Sequence, residues 1–204
     1  MGFYQRHVLP CLTHLAMSQS QLLPFRQHIV GAAEGRVLEI GVGSGLNFRL
    51  YGSAVRSVIG LEPSAELLRM ARPRARAASV PVSLLDGSAE AIPLDGASID
   101  TVVTTWTLCT IPNASLALAE MRRVLRPGGA LLFVEHGRAP EPGVARWQDR
   151  IDPYWSYLAG GCHLNRKMDD LVTASGFRIE ALHNSRLPGP RTHTYFYEGR
   201  ARPA

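Results

Sequence analysis

The residues with the most suggestive chemistry are Glu39-Ile40-Gly41-Val42-Gly43-Ser44-Gly45. An apolar run, residues 36–40, precedes them, and a short helix is expected over residues 46–51. Glycines suit such a turn because a Cβ would hold a ligand away from the backbone. The free amides of the following helix would then face a negative group. Glu62 stands 21 residues after Gly41, at the end of the next apolar run. A carboxylate in that place can accept hydrogen bonds from both hydroxyls of a ribose. Two other glycine cradles fit less well. Leu46 stands where a dinucleotide fingerprint has its third glycine. No GK[ST] follows, which excludes a phosphate-binding P-loop. Further along, Thr105-Trp106-Thr107-Leu108-Cys109 and Glu135-His136 each follow an apolar run, and Cys162-His163 follows Gly160-Gly161. His136 has the residue type and place for a general base. Its alternative is a histidine packed over a sheet end. Cys162 and His163 are adjacent, with no second ligand pair in view, so no metal is assigned.

Positioning these groups requires a parallel sheet. Buried strands are expected at 36–40, 57–61, 82–85, 99–105 and 130–134, separated by helical segments. Ser64 and Asn113 are placed to cap two of those helices. Pro127-Gly128-Gly129 reads as a break before the fifth strand. This alternation implies an α/β fold with helices on both faces. Residues 178–182 and 192–197 read as two closing strands, antiparallel because the turn at Leu187-Pro188-Gly189-Pro190 joins them. Helical periodicity also covers residues 4–17 and 24–30. The chain therefore divides into an N-terminal helical segment, 1–35, over the cofactor site and a cofactor-binding domain, 36–204. Residues 137–176 form a helical cover on the substrate side.

Composition narrows the setting. Of 204 residues, 46% are hydrophobic and 19% charged, enough apolar material for a full core. Nearly all the excess positive charge is arginine, and Arg69, Arg72, Arg74 and Arg76 lie near one helix end without interleaved aromatics. Nucleic-acid binding is not expected. Three widely spaced cysteines and no CxxC argue against a disulfide framework and point to a reducing compartment. No apolar run of spanning length occurs and the N-terminus lacks a signal-peptide layout, so a cytoplasmic location is the expectation. Nothing in the sequence sets an oligomeric state.

Taken in order, residues 39–45, Glu62-Pro63, residues 86–94 and residues 123–129 resemble the successive motifs of class I S-adenosylmethionine-dependent methyltransferases, of the type 11 domain. The resemblance implies a Rossmann-like sheet ordered 3-2-1-4-5-7-6 with strand seven antiparallel, and seven candidate strands are present. It implies that the glycine turn holds the methionine part of S-adenosylmethionine, the acid after strand two the ribose, and residues 87–90 the adenine. The expected cofactor contacts are Glu39, Gly41, Gly43, Ser44, Gly45, Asn47, Glu62, Pro63, Gly87, Ser88, Ala89, Glu90, Thr105 and Trp106, with S-adenosylhomocysteine as the spent product. Many relatives carry aspartate at the place of Ser88, so the adenine contact departs from the pattern.

A second, narrower resemblance covers nearly the whole second half and bears on the acceptor. Leu108-Cys109-Thr110, residues 123–129, Glu135-His136, Asp152-Pro153, Trp155, residues 161–166 and Arg191-Thr192-His193 are similar to segments of microsomal alkyl-thiol S-methyltransferases. Those enzymes methylate hydrogen sulfide and small thiols and carry an N-terminal membrane anchor, a feature not seen in this sequence. Residues 39–51 are also similar to bacterial phospholipid N-methyltransferases. A small-molecule acceptor, most readily a thiol, is the leading reading. A lipid amine or quinone precursor is the alternative, and a non-catalytic cofactor-binding protein is the third. Methyl transfer from a sulfonium is a direct displacement, in which alignment alone can supply roughly 7–11 kcal/mol. His136, Arg166 and His193 are the candidate catalytic groups, with Arg191 on the same cationic rim favouring a thiolate. Phe3, Tyr4, Val8, Leu9, Leu12 and Leu15 either close the cofactor pocket, the preferred reading, or make a peripheral membrane contact.

Overall fold

A computed structural model describes residues 4–204. Phe3 lies outside the described residues. The strands are β1 (Gly35–Ile40), β2 (Val55–Glu62), β3 (Val82–Asp86), β4 (Ile99–Thr105), β5 (Leu125–His136), β6 (Phe177–Arg186) and β7 (Tyr195–Pro203). They form one sheet in the order β3-β2-β1-β4-β5-β7-β6. The first five pair in parallel, and β7 runs antiparallel to both β5 and β6. The expected order and the antiparallel closing pair are thus present.

Alternate residues of each central strand feed two apolar cores. Leu38, Ile40, Val102, Leu131 and Phe133 face one core, whereas Val37, Val103, Leu132 and Val134 face the other. That two-residue period is why these strands read as continuous apolar runs: both faces are covered. The first core takes in α4 (Ala114–Val124) and α6 (Met168–Ala174), and the second takes in α2 (Leu23–Gly31) and α3 (Ala65–Arg76). Phe133 is fully enclosed. Burying such a side chain is worth about 1.5–3 kcal/mol.

Several local expectations change. Residues 46–51 form only a 3-10 turn at Phe48–Leu50, so no helix follows the glycine turn to add its dipole. Pro127, Gly128 and Gly129 do not end an element: β5 starts at Leu125, and a register shift against β4 absorbs the extra residues. The N-terminal helix is split into a π-helical turn, Tyr4–Val8, and α1 (Leu9–Met17). Ser64 and Asn113 do cap α3 and α4, accepting from Leu67 N and Leu116 N. The cover consists of α5 (Pro142–Leu158), a turn, and α6. No helix among the described residues is long and apolar enough to cross a membrane.

Candidate active site

The glycine turn leaves the end of β1 with Gly41, Gly43 and Gly45 all at positive φ, 66°, 54° and 79°. Only glycine adopts this region without strain. The three differ in surroundings. A Cβ on Gly41 would meet Thr107 Cγ2 at 2.4 Å, and one on Gly45 would meet Phe48 at 2.6 Å. A Cβ on Gly43 would meet nothing within 4 Å among the described residues, so that side of its backbone is open. Glu62, at the end of the neighbouring β2, accepts from Gly43 N at 2.9 Å and from Ser64 N at 3.0 Å. Burial pushes its carboxyl above the usual range, against the pull of those two amides. The turn and the acid predicted to share one ligand are therefore tied directly together. An open cradle with a fixed carboxylate beside it fits the methionine and ribose parts of S-adenosylmethionine.

Beneath the turn lies a polar network that sequence reading located only in part. Glu39 accepts from Asn47 Nδ2 at 2.8 Å and from Tyr51 Oη at 2.7 Å. Burial raises its pKa to about 7. Asn47 also accepts from Arg26 Nη1 at 2.7 Å and donates to Thr105 Oγ1 at 3.1 Å. Asn47 is thus spent inside the protein. Arg26 was missed from sequence, because a lone arginine in an N-terminal amphipathic stretch carries no signal. Burial lowers its pKa to about 10, and its guanidinium sits 4.7 Å over the Trp106 ring. Trp106 itself has φ 53° and hands its amide to Val134 O at 2.8 Å. A tryptophan in the left-handed region is strained, and such strain gathers at functional positions. The N-terminal segment also reaches the turn through His14, 2.7 Å from Ser44 Oγ.

The expected adenine loop is self-contained. Ser88 is exposed, donates to Glu90 Oε2 at 3.3 Å and accepts from Glu90 N at 3.1 Å. Glu90 Oε1 in turn accepts from Asn113 N at 2.7 Å, Ala89 is buried, Gly87 is half-buried, and Pro63 is exposed nearby in sequence to Glu62.

The exits of β4 and β5 form the other side. Glu135 is enclosed, and its Oε1 accepts from Thr104 Oγ1, Thr107 N and Leu108 N at 2.8–3.1 Å. Burial raises its carboxyl despite these bonds. Arg166 donates to the carbonyls of Leu108 and Ile111, the latter at 2.7 Å, so its guanidinium holds this same exit loop. His136 Nε2 lies 3.0 Å from Cys162 Sγ, and Cys162 Sγ lies 3.8 Å from Cys109 Sγ. A hydrogen bond to Cys109, and then burial, push the Cys162 thiol well up. Sequence spacing hid this cluster because its members come from three distant segments. His193 stacks edge-on against Trp155 at 4.4 Å and bonds Thr192 Oγ1 through Nδ1 at 2.8 Å. Burial, then the nearby His136, lower its pKa, so its imidazole is neutral near pH 7. Gln148 of α5 pins the cover, donating to the carbonyls of Gly137, Leu164 and Thr192 at 2.9–3.0 Å. Arg191 pairs with Glu141 and is exposed. Leu9 packs on the turn at Gly160, while Leu12 and Leu15 are exposed.

The chain resembles known methyltransferases in sequence and in fold. A methyltransferase domain model matches residues 38–133. Human thiol S-methyltransferase TMT1B is 35% identical over 155 residues, 72% of this chain and 63% of its own length. This chain therefore spans less than two thirds of that relative. Human thiol S-methyltransferase TMT1A is 31% identical over 192 residues, 90% of this chain and 78% of its own length. Phosphatidylethanolamine N-methyltransferase of Cereibacter sphaeroides is 37% identical over 131 residues, 60% of this chain and 64% of its own length. Among solved structures, a SAM-dependent methyltransferase of Thermotoga maritima superposes with TM-score 0.69, covering 97% of this chain and 99% of that one at 24% identity, a likeness of fold.

Proposed function

The chain belongs to the S-adenosylmethionine-dependent methyltransferases, and we propose that it moves a methyl group from that cofactor to the sulfur of a small thiol. One observation carries the choice of acceptor. The likeness to human TMT1A extends over 90% of the chain, through the cover, whereas that to the phosphatidylethanolamine enzyme extends over 60%. The cover is where an acceptor would be selected.

S-adenosylmethionine brings its own activation, a methyl group on a sulfonium that leaves without acid assistance. The chain's task is to align, to exclude water and to receive one proton. Residues 41–45 would hold the amino-acid part, Glu62 the ribose and residues 87–90 the adenine. The network of Arg26, Glu39, Asn47 and Thr105 keeps the floor of that site rigid. Trp106 and Thr105 stand where β4 leaves the sheet, between the cofactor side and the cover. Arg166 and Glu135 hold the β4 exit loop in register from two sides. The acceptor thiol would give its proton to His193, whose Nε2 is buried and has no partner among the described residues and whose pKa burial lowers. With the cofactor bound, the thiolate sulfur would take the methyl group from the sulfonium, which would leave as S-adenosylhomocysteine beside the thioether. Holding the reacting atoms in line supplies roughly 7–11 kcal/mol, so a strong base is not required.

Incubation of the purified protein with S-adenosylmethionine and a panel of acceptors tests the assignment. Methylated alkyl thiol is expected. Methylated phosphatidylethanolamine or a methylated quinone precursor, with no thioether, would replace it. Tight cofactor binding without any product would make the protein a non-catalytic binder.

A further inference from the structure

We propose that Cys109, His136 and Cys162 form a three-ligand site for zinc(II), with a fourth position left open to an incoming sulfur. The three donor atoms come from the loop after β4, the end of β5 and the turn after α5. All lie within 4.8 Å of one another. Two thiols and an imidazole are the ligand set that favours zinc among common divalent ions.

Two of the three donor–donor edges can be set against those of a tetrahedral ion. With zinc–sulfur bonds near 2.3 Å and zinc–nitrogen bonds near 2.0–2.1 Å, the sulfur–sulfur edge should be about 3.8 Å and the sulfur–nitrogen edge about 3.5 Å. Cys109 Sγ and Cys162 Sγ are already 3.8 Å apart. His136 Nε2, at 3.0 Å from Cys162 Sγ, needs to draw back by about half an ångström to match that edge. Main-chain structure fixes the sulfur pair. Gly160 and Gly161 both adopt positive φ, 64° and 93°, which delivers Cys162 to the β4 exit loop. His163 N then donates to Cys109 O at 2.8 Å, stitching the two cysteine segments together. Asp152 holds the same turn by accepting from Leu164 N and bonding His163.

Among the described residues the group has three members, so no fourth protein ligand closes it. Three protein ligands and one open position are the mark of a reactive zinc site, since structural sites carry four. The charged and titratable groups facing the cluster are Arg166, Glu135, Asp152 and His193. Zinc with two thiolates is neutral, and a third sulfur would add one negative charge beside the Arg166 guanidinium. The use of that fourth position by the acceptor rests on the thiol reading above. Coordination would deprotonate the acceptor outright, the proton passing to His193.

The test is a cobalt(II) titration of the full chain, kept reduced and stripped with a chelator. One equivalent should bind with intense sulfur-to-metal charge-transfer absorption and the visible bands of a tetrahedral ion, and zinc(II) should displace it. Cys162→Ser and His136→Gln should each weaken binding by more than about a hundredfold, beyond the roughly 10–100-fold that loss of an outer-shell partner costs. Cys11→Ser, at an exposed cysteine outside the cluster, should change nothing. Unaltered circular dichroism and S-adenosylhomocysteine affinity would show that the variants fold. Absence of the charge-transfer band, or equal cobalt affinity in wild type, Cys162→Ser and His136→Gln, would overturn the site. Thiol methylation by a metal-free protein would refute the zinc site's role in activating the acceptor and leave the acceptor assignment standing. Cobalt binding without thiol methylation would do the reverse.

Discussion

The floor of the cofactor site and the acceptor side differ in how their buried polar groups are treated. Under the glycine turn, Glu39, Asn47, Thr105, Arg26 and Glu62 all have partners within the protein. On the other side, Glu135 Oε2, His136 Nδ1, Trp155 Nε1 and His193 Nε2 are buried without one among the described residues, as is Trp106 Nε1 where the two regions meet. A buried polar atom left unpaired costs about 1–3 kcal/mol. Such costs persist where something outside the chain completes the bonding. The first region is a finished network, as the proposed holder of one fixed ligand should be. The second is left open, as the proposed site of an acceptor or an ion should be.

If the floor is a finished network, breaking it must hurt folding more than any change on the acceptor side. Glu39→Ala removes the acceptor of Asn47 Nδ2 and Tyr51 Oη and the acid whose charge acts on Arg26, and should cost about 3–5 kcal/mol in urea unfolding. A loss below about 1 kcal/mol would mean that the network is slack. The pH dependence sharpens the same point. The folded pKa of Glu39 is raised to about 7 from 4.5, so its protonated form favours the fold. The stability it contributes is complete below about 4.5, declines as pH rises towards about 7, and is then gone, a change of order 3 kcal/mol. In Glu39→Gln that decline should vanish; an identical profile between pH 4.5 and 8 in variant and wild type would contradict the assignment. Gly43→Ala should cost about 1–2 kcal/mol through its left-handed backbone. It should also weaken S-adenosylhomocysteine binding, because its methyl would enter the open cradle. Binding that survives a stability loss of that size would separate the turn from the cofactor. The smallest effect belongs to the acceptor side. His193→Phe keeps a ring against Trp155 but removes Nε2, and should lower kcat/KM for a thiol by ~2–10-fold with near-native stability. Unchanged kinetics would move the proton to another group.

Much of the fold was legible because its signals are local. Residues 36–40 and 99–105 are apolar on both faces, as a central parallel strand must be, and Gly41, Gly43 and Gly45 mark a turn that only glycine can make. Glu62 was legible from its spacing alone. What escaped depends on long-range assembly. Arg26 gains its role only when α2 folds onto the sheet, and Gln148 only when α5 lies over three carbonyls. The Cys109–His136–Cys162 cluster joins residues from three distant segments, so the adjacent Cys162-His163 pair drew notice while the real neighbours did not. Trp106 shows the same limit: no residue type announced a left-handed backbone there. Pro127 and the glycines after it misled because a β-bulge and a strand break share one composition.

The most direct measurement is calorimetric titration of S-adenosylhomocysteine into the wild-type protein and Glu62→Ala. The account predicts one site per chain in the wild type. Affinity should be lower by about 1–3 kcal/mol in the variant, since the ribose loses a fixed acceptor, and the unfolding midpoint should fall as well, since Gly43 N and Ser64 N lose theirs. Equal affinity in the two proteins, or no heat of binding in either, would contradict it.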